Sequence, residues 1–139
     1  MALPIFGNLK DSKFIKKDIS KMSIETFISG RGLEKLYKKK ISAHQIFNKE
    51  KKNLNDRKFL KNFKIRLARS LTNIIYTIDP DAIVFGGGLS NEINFLTELK
   101  KMVAKFLKVK HFNTIFLKPK HGDSSGVRGA AILGRKIIY

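Results

Sequence analysis

Three short segments of this 139-residue chain carry residue types that could do chemistry. The first, residues 25–32, reads ETFISGRG and places a carboxylate a few residues before a glycine turn. Glu25 could accept hydrogen bonds from the hydroxyl groups of a sugar, because an ionised carboxylate is a strong acceptor. It could also be an acidic residue at the start of a helix, where the helix dipole favours negative charge. Taken alone, the segment favours the second interpretation.

The second segment is Gly86-Gly87-Gly88, which follows the apolar run 82–85. Glycine lacks a Cβ, so its backbone can approach a ligand closely, and the start of a following helix favours anions. A tight turn between a strand and a helix would need the same residues. The glycine-lysine-serine/threonine signature of a P-loop does not occur in the sequence. The triglycine by itself is therefore a weak indication of a phosphate site.

The third segment, residues 121–131, reads HGDSSGVRGAA and resembles a turn that leads into a helix. His121 and Asp123 are residue types used in acid–base chemistry, but a surface turn with a helix cap explains both more simply. The small residues that follow would allow close helix packing.

Composition excludes several classes of protein. The chain has no Cys, so it cannot hold a disulfide framework or a thiolate zinc site. His44, His111 and His121 are isolated and lack the spacing of a tetrahedral site, so we expect no metal centre. No stretch of about 18 apolar residues occurs and the start of the chain lacks a secretory leader, so we expect a cytoplasmic protein without membrane contact.

The formal charge of +18 at pH 7 would suit a nucleic-acid-binding protein, because Lys and Arg neutralise phosphates. The excess is mostly Lys spread through helical stretches. Its densest runs, residues 38–40 and 49–52, lack the interleaved aromatic residues of a stacking platform. We therefore favour a solvated surface and expect no nucleic-acid partner.

The elements that would position these segments are mostly helices. The clearest helix is predicted over residues 56–78, ending at Asp79-Pro80 because the residue before a proline avoids helical geometry. Its apolar stripe consists of Leu60, Phe63, Leu67, Leu71, Ile74, Ile75 and Ile78. Shorter helices are predicted over 32–39, after Ser29-Gly30, and over 43–51, with Ser42 as the N-cap and Ile46 and Phe47 turned inward. Residues 10–21 show no period and predict a loop.

Two strands are predicted, and both are short. The run 82–85, bounded by glycine, predicts a buried strand. A helix capped by Ser90 or Asn91 should follow the triglycine, then a second strand over 114–117, then a last helix that begins near Ser124 or Ser125. The sequence thus predicts a helix-rich α/β fold.

The order of these segments resembles that of the ROK family (repressor, open reading frame, kinase). The resemblance is carried by residues 24–30, 67–71, 78–91 and 121–131, and it extends over nearly all of 22–133. The closing segment is similar to that of the bacterial fructokinases. The resemblance implies the C-terminal lobe of the actin-like ATPase (ribonuclease H-like) fold, truncated, over residues 23–139, with 1–22 as a loop segment that replaces the family's zinc region.

The resemblance also implies a set of site residues and ligands. Glu25 would contact the hydroxyls of a hexose. ATP with Mg²⁺ would be the phosphate donor. The residues that would lie along the nucleotide are Ser29, Gly30, Gly32, Gly86, Gly87 and Gly88.

Departures from the family pattern are equally informative. The family's phosphate-binding Asp-x-Gly-x-Thr segment, its Asn-Asp pair with the catalytic base, and its Gly-Glu-x-Gly-His segment do not occur here. Residues 16–23 read KKDISKMS where the family has a cysteine cluster, so zinc is not expected.

We therefore predict the C-terminal part of an ATP-dependent sugar kinase, fructokinase- or hexokinase-like, that is inactive alone because the catalytic N-terminal lobe is absent. One alternative is a subunit of a split, two-chain sugar kinase, and another is a non-catalytic basic interaction module. We expect a homodimer or a complex with a separate N-terminal lobe, because the last helix would lose part of its cover. Its apolar positions are Val127, Ala131, Leu133, Ile137 and Ile138.

Overall fold

A computed structural model describes residues 23–37, 40–49 and 53–137. The helices are α1 (Glu25–Ile28), α2 (Gly30–Leu36), α3 (Ala43–Asn48), α4 (Leu54–Ile78), α5 (Leu96–Leu107) and α6 (Ser125–Ile137). The strands are β1 (Ala82–Val84) and β2 (Ile115–Leu117), and two 3₁₀ turns span Gly88–Asn91 and Gly122–Ser124. The predicted loop over 10–21 and the segment 1–22 lie outside the described residues. The helix-rich α/β class is confirmed.

Helix α4 is the centre of the core. It begins after Asn53, whose Oδ1 accepts a hydrogen bond from the backbone N–H of Asp56 at 2.8 Å. It ends at Asp79, which takes a left-handed conformation with φ of 45° just before Pro80. The predicted stripe is confirmed at its buried members, which are Leu60, Phe63, Leu67, Leu71 and Ile75.

Two members of the predicted stripe are exposed instead. Ile74 lies one position before Ile75, and successive helical residues point about 100° apart, so both cannot face the same neighbour. Ile78 is 69% exposed because it lies in the last turn, where no described element covers it. Ala68 and Thr72 on the same helix are buried in the core instead.

Helix α5 packs against α4 through Leu99, Val103 and Leu107. Its predicted start at Ser90 or Asn91 is wrong. Those residues form the 3₁₀ turn, where the Ser90 hydroxyl donates to the Gly87 carbonyl at 2.7 Å instead of capping a helix. The two helices are also joined by an ion pair between Lys64 and Glu98, 3.1 Å apart.

Strands β1 and β2 pair in parallel, with Ala82 opposite Ile115 and Val84 opposite Leu117. One face of this sheet is packed on the helical core by Ile83 and Phe116. The other face, which we call the outer sheet face, consists of Ala82, Val84, Ile115 and Leu117, and all four are exposed. The prediction of a buried strand over 82–85 is therefore wrong except at its end, because the described helices cover one side of the sheet only.

The remaining helices confirm their predictions with shifted ends. Helix α2 starts two residues before the predicted 32–39, and α3 ends at Asn48. In α3, Ile46 is fully buried and Phe47 is half-buried, stacked on Phe95. Helix α6 starts where predicted, and the expected loss of cover is confirmed at Val127 and Leu133, which are exposed.

Candidate functional site: a groove between two glycine segments

The corner between α1 and α2 is built by Ser29 and Gly32. Ser29 is extended (φ −95°, ψ 164°), and its Oγ accepts a hydrogen bond from the backbone N–H of Gly32 at 3.0 Å. A Cβ at residue 32 would overlap the carbonyl oxygen of Thr26, so this position requires glycine for packing. Gly32 is buried and does not line the groove described below.

The triglycine lies directly after β1 and Phe85, at the carboxyl end of the parallel sheet. Gly87 has a positive φ of 75°, a conformation that favours glycine. Gly86 and Gly88 do not have a positive φ. A Cβ added at any of the three would meet nothing within 4 Å. Neither backbone conformation nor packing within the described chain therefore requires glycine at 86 and 88. Their open space lies where ligands of open α/β sheets bind, outside the carboxyl ends of the strands.

The structure brings these two segments together around one groove of about 880 Å³. Gly30 is close to the far wall, since a Cβ there would lie 3.8 Å from the Cβ atoms of both Ala43 and Leu89. The predicted site residues that line the groove are Glu25, Ser29, Gly30, Gly86, Gly87 and Gly88. Apolar side chains that also line it include Ile28, Leu67, Leu71, Ile83 and Ile93.

Glu25 lies in the first turn of α1 with its side chain exposed at the groove. Its carboxylate makes no hydrogen bond or ion pair with any residue that the structure describes. Both oxygens are therefore open to donors from a ligand.

Two other carboxylates at the groove are already engaged. The Glu34 Oε1 accepts a hydrogen bond from the backbone N–H of Ala43 at 2.8 Å, and the Glu92 Oε1 lies 2.7 Å from His44 Nδ1. The amide nitrogen of Asn48 lies 3.0 Å from His44 Nε2. If that amide donates, Nε2 accepts and Nδ1 carries the proton shared with Glu92. The pair holds α3 beside the segment that follows the triglycine.

Sequence reasoning missed Glu34, His44, Glu92 and Arg31 as groove residues. A signal for α3 was present, because Ser42 and Gln45 form a capping box, but nothing in the sequence pairs residue 44 with residue 92. His121 lies away from the groove lining, with its Nδ1 2.9 Å from Nη1 of Arg128.

Within the described ranges, no group of three or more His, Cys, Asp or Glu residues could hold a metal ion. Over the same ranges, no helix has the length and apolar character to cross a membrane. The groove can offer a ligand backbone groups, one unengaged carboxylate, the Arg31 guanidinium and an apolar floor.

A groove of this kind, at the carboxyl end of a parallel strand and open beside a glycine run, lies where α/β proteins bind their ligands. The chain belongs to the ROK family, whose model matches residues 20–137. The expected family is thereby confirmed.

The relatives include N-acetyl-D-glucosamine kinases from several bacteria. That of Histophilus somni (strain 129Pt) is 38% identical over 122 residues, covering 82% of this chain and 39% of the relative. That of Mannheimia succiniciproducens is 41% identical over 117 residues, covering 79% and 38%. That of Vibrio cholerae is 37% identical over 122 residues, covering 84% and 40%. The chain thus spans well under half the length of these relatives.

Proposed function

We propose that this chain is the lobe of a ROK sugar kinase that lines one side of the cleft in which sugar and ATP meet. The observation that carries the proposal is the groove, which unites Glu25 and the Ser29–Gly30 corner with the distant triglycine. Family membership supports it, and so do the kinase relatives. The architecture we propose is the C-terminal lobe of the actin-like ATPase fold.

The sugar we propose first is N-acetyl-D-glucosamine, because it is named for the relatives above. Fructose is the second candidate, supported by the similarity of residues 121–131 to the closing segment of fructokinases. In both cases the sugar supplies hydroxyl groups to the Glu25 carboxylate, which accepts their hydrogen bonds.

The triglycine would serve the nucleotide. Without Cβ atoms, its exposed backbone lets a phosphate chain lie against the peptide groups at the end of β1. Mg²⁺ normally accompanies ATP in phosphoryl transfer. The described residues include no carboxylate cluster that fits it, so none of our proposed contacts depends on the ion.

Phosphoryl transfer moves the terminal phosphoryl group from the nucleotide to a sugar oxygen, and the hydroxyl proton must pass to a base. Two of the groove carboxylates described above, Glu34 and Glu92, already accept or share hydrogen bonds within the chain. We assign Glu25 to holding the sugar, so the base must come from a second lobe. We therefore propose that the chain is inactive alone.

A coupled assay tests this proposal. The purified chain, given ATP, Mg²⁺ and either N-acetyl-D-glucosamine or fructose, should give no turnover above a blank. Mixed with a polypeptide that carries the rest of a ROK kinase, it should restore phosphorylation. Turnover by the chain alone would refute the assignment of the base to a second lobe.

Glu25→Gln in the two-component mixture should raise the KM for sugar about tenfold or more, with a smaller effect on the KM for ATP, because an amide oxygen is the weaker acceptor. Asp79→Asn makes the same carboxylate-to-amide change at an exposed residue outside the groove lining, so it is the matched control and should change neither KM. Equal rises for both substrates would show that Glu25 is a structural acid.

A further inference from the structure

The outer sheet face leaves three large apolar side chains open to solvent. Val84 is 58% exposed, Ile115 54% and Leu117 43%. The parallel register places Val84 directly opposite Leu117 and Ala82 directly opposite Ile115, so the four residues are neighbours on one surface. This clustering distinguishes them from scattered apolar residues, which are normal on a protein surface.

A bare face is unusual for a parallel sheet. Parallel strands occur almost entirely in sheets that are covered on both faces, and isolated two-stranded sheets are only marginally stable. Here the described helices cover only the face that bears Ile83 and Phe116. The outer sheet face therefore has the character of a surface that another polypeptide covers.

Charge indicates which polypeptide fits. Lys118 and Lys120 follow β2 directly, and both are exposed. Asp81 is the acidic residue at the opposite end of β1. The end of the face that follows β2 is thus positively charged, and the chain as a whole carries a formal charge of +18.

A second copy of the chain fits this surface poorly. Each copy carries a formal charge of +18, so two copies would place basic rims and large like charges against each other. Such charges repel within a Debye length of about 8 Å at physiological salt. An acidic partner would be attracted instead and steered to the surface.

We propose that the outer sheet face is the docking surface for a separate acidic polypeptide, with Val84, Ile115 and Leu117 as the apolar contact and Lys118 and Lys120 as its charged rim. The choice of probe rests on the proposed function. It is the part of the Histophilus somni N-acetyl-D-glucosamine kinase that has no counterpart in this chain, produced as a separate polypeptide.

Sedimentation of the full chain with this probe tests the docking surface. We expect a complex of one copy of each that weakens about tenfold or more between about 50 mM and about 500 mM NaCl, because salt screens the attraction. The Ile115→Asp/Leu117→Asp pair, which lies outside the groove lining, should abolish the complex. Ile78→Asp, an equally polar change at an exposed residue outside the face, should leave it intact.

A charge reversal on the rim tests the acidic character of the partner. Lys118→Glu/Lys120→Glu should weaken the complex about tenfold or more. Lys101→Glu/Lys105→Glu makes the same change of charge on α5, which packs on the other side of the sheet, and should have a much smaller effect. Equal losses of affinity from the two pairs would show that only the overall charge of the chain matters, and would overturn the proposed rim.

Other occupants would give different results. Self-association of the chain that the Ile115→Asp/Leu117→Asp pair abolishes would show that a second copy covers the face. A large fall in the Tm of the chain alone on the same substitution would show that the chain's own residues 1–22 cover it. A monomer that does not bind the probe, or a complex that ignores salt, would also overturn the proposal.

Complex formation and phosphoryl transfer are measured separately, so failure of the docking surface can be distinguished from failure of the proposed function. A complex without phosphoryl transfer would count against the proposed function alone. Phosphoryl transfer that survives the Ile115→Asp/Leu117→Asp pair would count against the docking surface alone.

Discussion

Gly32 and Gly86 lack a Cβ for different physical reasons. At Gly32 a Cβ would overlap the backbone oxygen of Thr26, which cannot swing aside. At Gly86 a Cβ would meet nothing, and φ is not in the left-handed region. The first glycine is required by the fold of the chain, whereas the second faces open space at the groove.

Alanine at these two positions should therefore act on different properties. Gly32→Ala should lower the free energy of unfolding by about 3 kcal/mol, because the corner between α1 and α2 must shift. Gly86→Ala should change it by less than about 0.5 kcal/mol, yet weaken ATP binding if the triglycine serves the nucleotide as proposed. Urea unfolding measures the first property and calorimetry the second. Similar stability losses in both variants would contradict this division.

Tyr37 and Asp56 form a second residue-scale link, between the end of α2 and the start of α4. The Tyr37 hydroxyl donates to Asp56 Oδ1 at 2.6 Å, and Asp56 is buried. This hydrogen bond, followed by burial and the negative charge of Asp56, raises the pKa of Tyr37 from 10.0 to about 12. The folded state therefore holds the phenolic proton more tightly than the unfolded state.

The pH dependence of stability follows from this sign. The contribution of Tyr37 is complete below pH 10 and is lost as the pH rises towards about 12, because the unfolded chain releases the proton first. Tyr37→Phe should lower stability by about 1–2 kcal/mol at pH 8, and the difference from the parent chain should shrink above pH 10. Urea midpoints across this range measure it. A difference that stays constant to pH 12 would refute the link.

At the scale of elements, α3 depends on its cap. Ser42 Oγ accepts from the backbone N–H of Gln45 at 3.3 Å, and the Gln45 side chain accepts from the backbone N–H of Ser42 at 3.0 Å. This six-residue helix positions Ala43 and His44 at the groove. Its short length makes the cap a large share of its stability.

Ser42→Ala should therefore cost about 1 kcal/mol of unfolding free energy, since the N–H of Gln45 loses its acceptor. Ser42→Thr keeps a hydroxyl in the same place and should cost clearly less. Chemical denaturation compares the two variants. Equal losses would mean that the hydroxyl does not cap α3.

The elements also show what a sequence can and cannot predict. The period of α4 and its stop at Asp79-Pro80 are local signals, and they predicted the helix to within a few residues. An apolar run such as 82–85 does not say how many faces of its sheet are covered, so the exposure of Val84 was missed. The Ser90 hydroxyl could cap a helix or close a turn, and local sequence does not decide between them.

The candidate site shows the same difference between features with local sequence signals and features that depend on contacts distant in sequence. The two glycine segments were predicted from their composition and from a family resemblance. The His44–Glu92 contact joins elements that are distant in sequence, so only the packing of α3 beside the triglycine reveals it. Gly32 was grouped with the ligand residues because a glycine needed for packing and one needed for a ligand look identical in sequence.

The charge of the whole molecule sets its response to salt. With a formal charge of +18, the compact state suffers more self-repulsion than the expanded unfolded chain. Raising NaCl from about 20 mM to about 300 mM shortens the range of this repulsion and should raise the Tm by several degrees. Thermal melts by circular dichroism measure it. A Tm that falls with added salt would show that specific ion pairs, such as Lys64–Glu98, outweigh the net charge.

Amide hydrogen exchange in the sheet should depend on what covers its outer face. Hydrogen bonds extend the strand pairing at both ends. The Ile115 N–H donates to the Asp81 carbonyl at 2.8 Å, and the Phe85 N–H donates to the Leu117 carbonyl at 3.0 Å. Strands of three residues open at little cost, so these two amide hydrogens should exchange with deuterated water far faster than those in the middle of α4. A polypeptide bound to the outer sheet face should slow this exchange without contacting either amide. The exchange rates of the two amides would therefore show whether such a polypeptide is bound.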